Sequence, residues 1–137
     1  MDIGKSDNKE NRNHIQLKDL EVYKLARELS RIGWGIYNSL DWHDKKIMGD
    51  QFISATDSFG ANLTEGYGRY HYLDKIKFFY NARGSLFEAG DYWLELLFER
   101  SKINEETYKK FQDIKEKASL KLQNFISAIY SAKNKHQ

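Results

Sequence analysis

Three observations predict an all-α protein, folded as an antiparallel up-down-up-down four-helix bundle. The 137 residues include no proline, the strongest helix breaker. Apolar residues recur at steps of three and four through most of the chain, which is the period of a helix face. Four such stretches, each of roughly 20 to 28 residues, follow one another with short connections, and short connections make successive helices antiparallel neighbours.

The first helix is predicted over Lys18 to Leu40, with Val22, Leu25, Ala26, Leu29, Ile32, Ile36, Tyr37 and Leu40 on one side. Gly33 and Gly35 weaken it, by about 1 kcal/mol each relative to alanine. Asp41-Trp42-His43-Asp44 then offers carboxylates to the free N–H groups that open a helix, so it reads as a turn and cap. The second helix runs from about Lys45 to Glu65 on a row of Met48, Phe52, Ala55, Phe59 and Leu63, and Gly66-Tyr67-Gly68 ends it. The third runs from Leu73 to about Arg100, its stripe being Ile76, Phe79, Tyr80, Leu86, Phe87, Trp93, Leu94 and Leu97. The fourth, from about Asn104 to Tyr130, lines up Phe111, Ile114, Ala118, Leu122, Phe125 and Ile129. Residues 1–16 form a polar tail, 17–131 the bundle domain and 132–137 a second tail.

Composition narrows function by exclusion. The absence of cysteine removes disulfides, thiolate nucleophiles and cysteine-ligated metals. Residues 1–16 lack the apolar core of a signal peptide, and no apolar run approaches the ~18 residues of a membrane span. A cytoplasmic protein with no membrane association is expected. The net charge of +2 announces no polyanion partner, but eight basic residues against four acidic ones fall within 101–137. Lys110, Lys117 and Lys121 share a helical face there, with Lys133 and Lys135 beyond, and form a candidate nucleic-acid contact.

Two stretches in the middle of the chain carry more. Ala61-Asn62-Leu63-Thr64-Glu65-Gly66-Tyr67-Gly68-Arg69 is followed one helix later by Ala82-Arg83-Gly84-Ser85-Leu86-Phe87-Glu88. Arg83 falls within the apolar row 76, 79, 80, 83, 86, 87, 90, and a guanidinium pointed at a core needs carboxylate partners. Asn62 and Glu65 share a face, so a buried polar network of Asn62, Glu65, Arg83, Ser85 and Glu88 is expected, setting the register of helices two and three. Gly84 and Gly90 are expected to admit another backbone.

The pattern A-N-x-x-E-G-x-G-R followed by A-R-G-S-L-x-E resembles the four-helix bundle family of 23S rRNA intervening-sequence proteins, also called S23 ribosomal proteins. The similarity extends from Asp19-Leu20-x-Val22-Tyr23 to the end of the fourth helix. Its signature positions fall here on Asn62, Glu65, Gly66, Arg69, Arg83, Gly84, Ser85 and Glu88. The resemblance implies a bacterial protein, assembly into a ring-shaped homopentamer and no enzymatic activity. It also implies kinship with a retroelement accessory protein that works with a reverse transcriptase and binds nucleic acid, so RNA, DNA or a protein partner is expected.

A further candidate is the connection Tyr67-Gly68-Arg69-Tyr70-His71-Tyr72, in which Tyr70 and Tyr72 could stack bases while Arg69 holds a phosphate. Packing of the bundle end or a subunit interface explains the same residues. Enzyme signals are weak. His14, His43, His71 and His136 are scattered, which excludes the Glu-x-x-His pairs of di-iron bundles. Ser6-Asp7-Asn8-Lys9 lies in a tail, and Gly66-Tyr67-Gly68 lacks the third glycine and preceding strand of a dinucleotide loop. No catalytic residue, metal or cofactor is expected. With 20 aromatic side chains, some of Trp34, Trp42, Tyr92 and Phe98 must lie outside the four stripes, which suggests subunit contacts.

Overall fold

The computed structural model describes residues 16–135, and within them the chain is helical apart from its connections. A single 3-10 turn, Leu17–Asp19, leads into α1, Glu21–Ser39. Helix α2 opens as Trp42–Asp44, widens into a π-turn over Lys45–Gly49 and continues as Asp50–Tyr67. Helix α3 comprises Tyr72–Phe87, a second π-turn at Glu88–Trp93 and Leu94–Glu99. Helix α4 is Glu105–Lys135, so it continues past the boundary expected at 131. The expected tail at 1–16 lies almost wholly outside the described residues.

Local chemistry sets these ends. Asp41 caps α2, its Oδ1 accepting the Asp44 amide at 2.8 Å, which starts the helix three residues before Lys45. Asn104 does the same for α4 through the Thr107 amide, also at 2.8 Å. Between α3 and α4 the chain turns through Ser101, at φ 60°, and the Lys102 amide returns to the Leu97 carbonyl at 2.8 Å. At the end of α2 the glycines work differently from the expected terminator. Gly68 is right-handed, whereas Gly66 sits inside the helix, where a Cβ would stand 2.7 Å from Cε1 of Phe79.

The helices pack in cyclic order, each against the next and α1 against α4. Phe52, Phe59, Phe79 and Phe111 are fully buried at the centre. Phe52 and Phe111 meet as tilted rings across α2 and α4, with centroids 5.6 Å apart. The expected rows of α1, α2 and α4 are those that turn inward, except that Leu25, Ile32, Tyr37 and Phe125 are only partly buried. Helix α3 differs. Tyr80 and Phe87 are exposed, and Ala82, Ala89 and Gly90 take the inner positions. Small residues there let α3 approach its neighbours, and the π-turn turns two successive residues, Ala89 and Gly90, inward.

Candidate functional site

The expected buried network does not assemble. Arg83 is exposed, its guanidinium lying 5.6 Å from the ring centre of Phe87 on its own helix. Glu65 is also exposed and pairs with Arg69 at 3.2 Å. Asn62 donates to the Ser58 carbonyl at 2.9 Å, and Glu88 accepts from Trp93 Nε1 at 2.9 Å. Ser85 is half-buried. The reason is register. Arg83 is eleven residues past the start of α3, about 16 Å along its axis at 1.5 Å per residue, while Glu65 is in the last turn of the antiparallel α2. Gly84 faces open space, and what passes Gly90 is a lysine stem rather than a backbone.

The tyrosine-rich connection is mostly occupied with structure. Arg69, already paired with Glu65, lies 4.8 Å from the ring centre of Phe78. Tyr72 packs against the core as the first residue of α3. Lys75 donates to the Tyr67 carbonyl at 3.0 Å, and desolvation holds its pKa below the ordinary lysine value. Of the three candidate contacts, only Tyr70, 90% exposed with His71 edge-on against it, is offered freely to solvent.

A polar cluster forms instead at the α3 π-turn, around one buried residue that the apolar pattern offers no reason to select. Lys115 occupies an inward position of α4 and is 5% exposed. Its stem crosses Gly90, its ammonium reaches Asp91 at 2.7 Å and Glu116 at 3.2 Å, and the Phe87 ring centre is 5.5 Å away. Burial pulls the Lys115 pKa down, but hydrogen bonds and ion pairs to the two carboxylates outweigh it and leave the net value raised. Next to it, Gln112 Nε2 donates to the Gly90 carbonyl at 2.9 Å and to Glu95 at 3.0 Å. The Tyr108 hydroxyl donates to the same Glu95 carboxylate, which raises the tyrosine pKa. This cluster ties α3 to α4. The one signal for it in the sequence is Gly90 facing a lysine at an apolar step of α4.

The outer surface holds two further arrangements. Lys110, Lys117 and Lys121 on α4 and Arg31 on α1 are exposed and form no ion pair among the described residues. The side chains of Lys133 and Lys135 lie outside the described residues. Lys110 and Arg31 line a groove of about 460 Å³ between α1 and α4, together with Gly35, Ser39, Lys102 and Thr107. Lys102 is held at 2.9 Å by the mostly buried Asp44, which raises its pKa. Besides Tyr70 and Leu73 at the α2–α3 connection and Tyr92 at the α3 π-turn, large apolar side chains are exposed on two sides. Trp34 (55% exposed), Trp42 (72%) and Ile47 lie where α1 meets α2, and Tyr80, Phe87, Leu120 and Tyr130 lie along α3 and α4.

Among the described residues, no group of three or more His, Asp or Glu side chains converges as a metal site would. None of the described helices is long and apolar enough to cross a membrane. The fold defines a small all-helical protein of the four-helix bundle class. The chain belongs to the 23S rRNA-intervening sequence protein family, whose model matches residues 18–124. It is similar to a solved structure from Bacteroides thetaiotaomicron, described as a protein of unknown function from the S23 ribosomal protein family. The TM-score is 0.71 at 25% identity, covering 77% of this chain and 95% of that one. No curated protein matches the sequence.

Proposed function

We propose that the protein is a non-enzymatic, self-associating bundle that presents unpaired cations to nucleic acid in the cytoplasm. The observation that carries self-association is the pair of unlike apolar surfaces. The α1–α2 side bears Trp42 and Ile47, the α3–α4 side bears Tyr80, Phe87, Leu120 and Tyr130, and the cyclic helix order places the two sides opposite each other. Contact between two unlike surfaces of successive copies is heterologous, and it closes as a ring where the rotation from copy to copy closes. The ring implied by the family resemblance, a homopentamer, multiplies a +2 chain into about +10.

The cations support the second half of the reading. Arg31, Lys110, Lys117 and Lys121 form no ion pair with a carboxylate among the described residues, so a polyanion can release counterions from them. Light scattering joined to size-exclusion chromatography, followed by fluorescence-anisotropy titration with single-stranded RNA across a salt series, tests both halves. The expected result is an oligomer whose log affinity falls linearly with log salt, at about 0.7 per phosphate contacted. A monomer at tens of micromolar overturns the first half. An oligomer that ignores RNA at low salt overturns the second, and points to a protein scaffold that holds a partner enzyme.

A further inference from the structure

Gly35 is in a costly position that the fold does not explain. It sits within α1, where glycine is less favourable than alanine by about 1 kcal/mol, and a Cβ built there meets nothing within 4 Å. Packing inside the chain therefore does not require its small size. What it borders is the α1–α4 groove, whose lining includes three cations, Arg31, Lys102 and Lys110, with the hydroxyl residues Ser39 and Thr107 and no carboxylate. A side chain at position 35 would project into that space. On the α2 side of the same helix lies an aromatic platform. Trp34 shares the outer face of α1 with Arg31, three residues away, and stacks on Tyr37 with ring centres 5.5 Å apart and planes 15° from parallel. Lys45 Nζ lies 5.1 Å from the Tyr37 ring centre.

From these placements we infer that the α1–α4 groove binds a backbone phosphate of single-stranded nucleic acid, with a neighbouring base extending the Trp34–Tyr37 stack. A cationic groove beside exposed aromatic faces is the arrangement that holds single strands without reading sequence. Neighbouring carboxylates are already engaged or lie at the edge. Asp44 holds Lys102, Asp50 accepts the Tyr37 hydroxyl at 2.7 Å, and Glu28 stands beside Arg31 and Lys110 at the far end. The inference rests on the nucleic-acid reading above and moves its centre from the 67–72 connection and the outer α4 stripe to the α1–α4 groove.

The test is anisotropy titration of a fluorescein-labelled single-stranded RNA against the full chain and four variants, each with its melting temperature measured. Gly35→Leu is expected to melt a few degrees higher than wild type and to bind at least tenfold more weakly, a combination that damage to the fold cannot produce. Arg31→Ala with Lys110→Ala is expected to lower the salt slope by about 0.7, because the groove's phosphate is no longer neutralised. Trp34→Ala is expected to weaken binding about tenfold. Lys117→Ala with Lys121→Ala is the control, expected to change affinity less than the groove variants do. If RNA binds the three groove variants as it binds wild type, the groove is wrong while the nucleic-acid reading stands. If wild type binds no RNA even at low salt, both fall. Competition by millimolar inorganic phosphate or AMP, equal to that by an oligonucleotide on a per-phosphate basis, would make this a small-anion site and overturn the strand assignment. A Gly35→Leu protein that melts lower than wild type would show that packing demands the glycine, and the inference would lose its ground.

Discussion

Lys115 shows how a single residue is decided by its surroundings rather than its type. It stands at an inward step of α4, between Ile114 and Ala118, where the apolar pattern alone calls for a hydrophobe. The glycine opposite and two carboxylates at the surface make a lysine workable, since the stem is buried while the ammonium reaches outward to Asp91 and Glu116. Replacing a buried ion pair by a well-fitting apolar residue is commonly neutral or stabilising, and here both carboxylates stay hydrated once the lysine is gone. Lys115→Met is therefore expected to fold with stability at neutral pH equal to or above wild type. The sign of its pH dependence follows from the raised pKa. The stabilisation by Lys115 is complete below the ordinary lysine value near 10.5 and is lost as pH rises through the higher folded value. Tyr108, also raised, acts in the same direction from its ordinary value near 10.0. Urea unfolding followed from pH 8 to pH 11.5 is expected to show wild-type stability falling above about pH 10, with a shallower fall in Lys115→Met. Equal slopes in the two proteins would contradict the placement of Lys115.

At the scale of the element, the helices are legible in the sequence because their signals are periodic and local. Proline-free stripes, the Asp41 cap and the short connections locate all four helices to within a few residues. What the pattern misses is the phase and register of α3. A strict three-four count draws Tyr80, Arg83 and Phe87 inward, yet the structure buries Ala82 and Ala89, because close approach favours the small residue over the bulky one. Glu65 and Arg83 are complementary in charge, although an antiparallel hairpin keeps them several turns apart. The π-turns, each adding a residue to one turn, leave no periodic signature at this length. Two glycines test the packing account of the α2–α3 hairpin against the propensity account of the sequence. Gly66→Ala forces its Cβ onto Phe79, which is buried and backed by Phe125 with ring centres 5.0 Å apart. Overpacking of ~1–3 kcal/mol, offset by about 1 kcal/mol of better helix propensity, predicts a net loss of up to about 2 kcal/mol by denaturant unfolding. The same change at Gly35, where the Cβ meets nothing, is expected to raise stability by up to about 1 kcal/mol. Two changes of the same sign would mean that contact distance is not what separates these glycines.

For the whole molecule, two unlike apolar sides make a prediction that a symmetric dimer would not. In a heterologous chain of contacts every copy uses both surfaces, so damage to either one stops growth while leaving the other competent. Trp42→Glu places a charge on the α1–α2 side, and Leu120→Glu places one on the α3–α4 side, both at exposed positions where the fold itself loses little. Each variant alone is expected to run as a monomer in light scattering at concentrations where wild type is an oligomer. Mixed in equal amounts, each still offers the intact surface the other needs, so the mixture is expected to form a dimer of one copy each and to stop there. An isologous interface predicts something else: a variant that damages it abolishes association outright, mixing restores nothing, and the variant on the uninvolved side assembles as wild type does. Full-size oligomers from both single variants would remove both surfaces from the assembly. The mixing experiment also bears on nucleic acid, because a mixed dimer brings together at most two sets of the cations that a closed ring would multiply. Affinity for a long single strand is then expected to fall in the order ring, mixed dimer, monomer, with the salt slope falling in step.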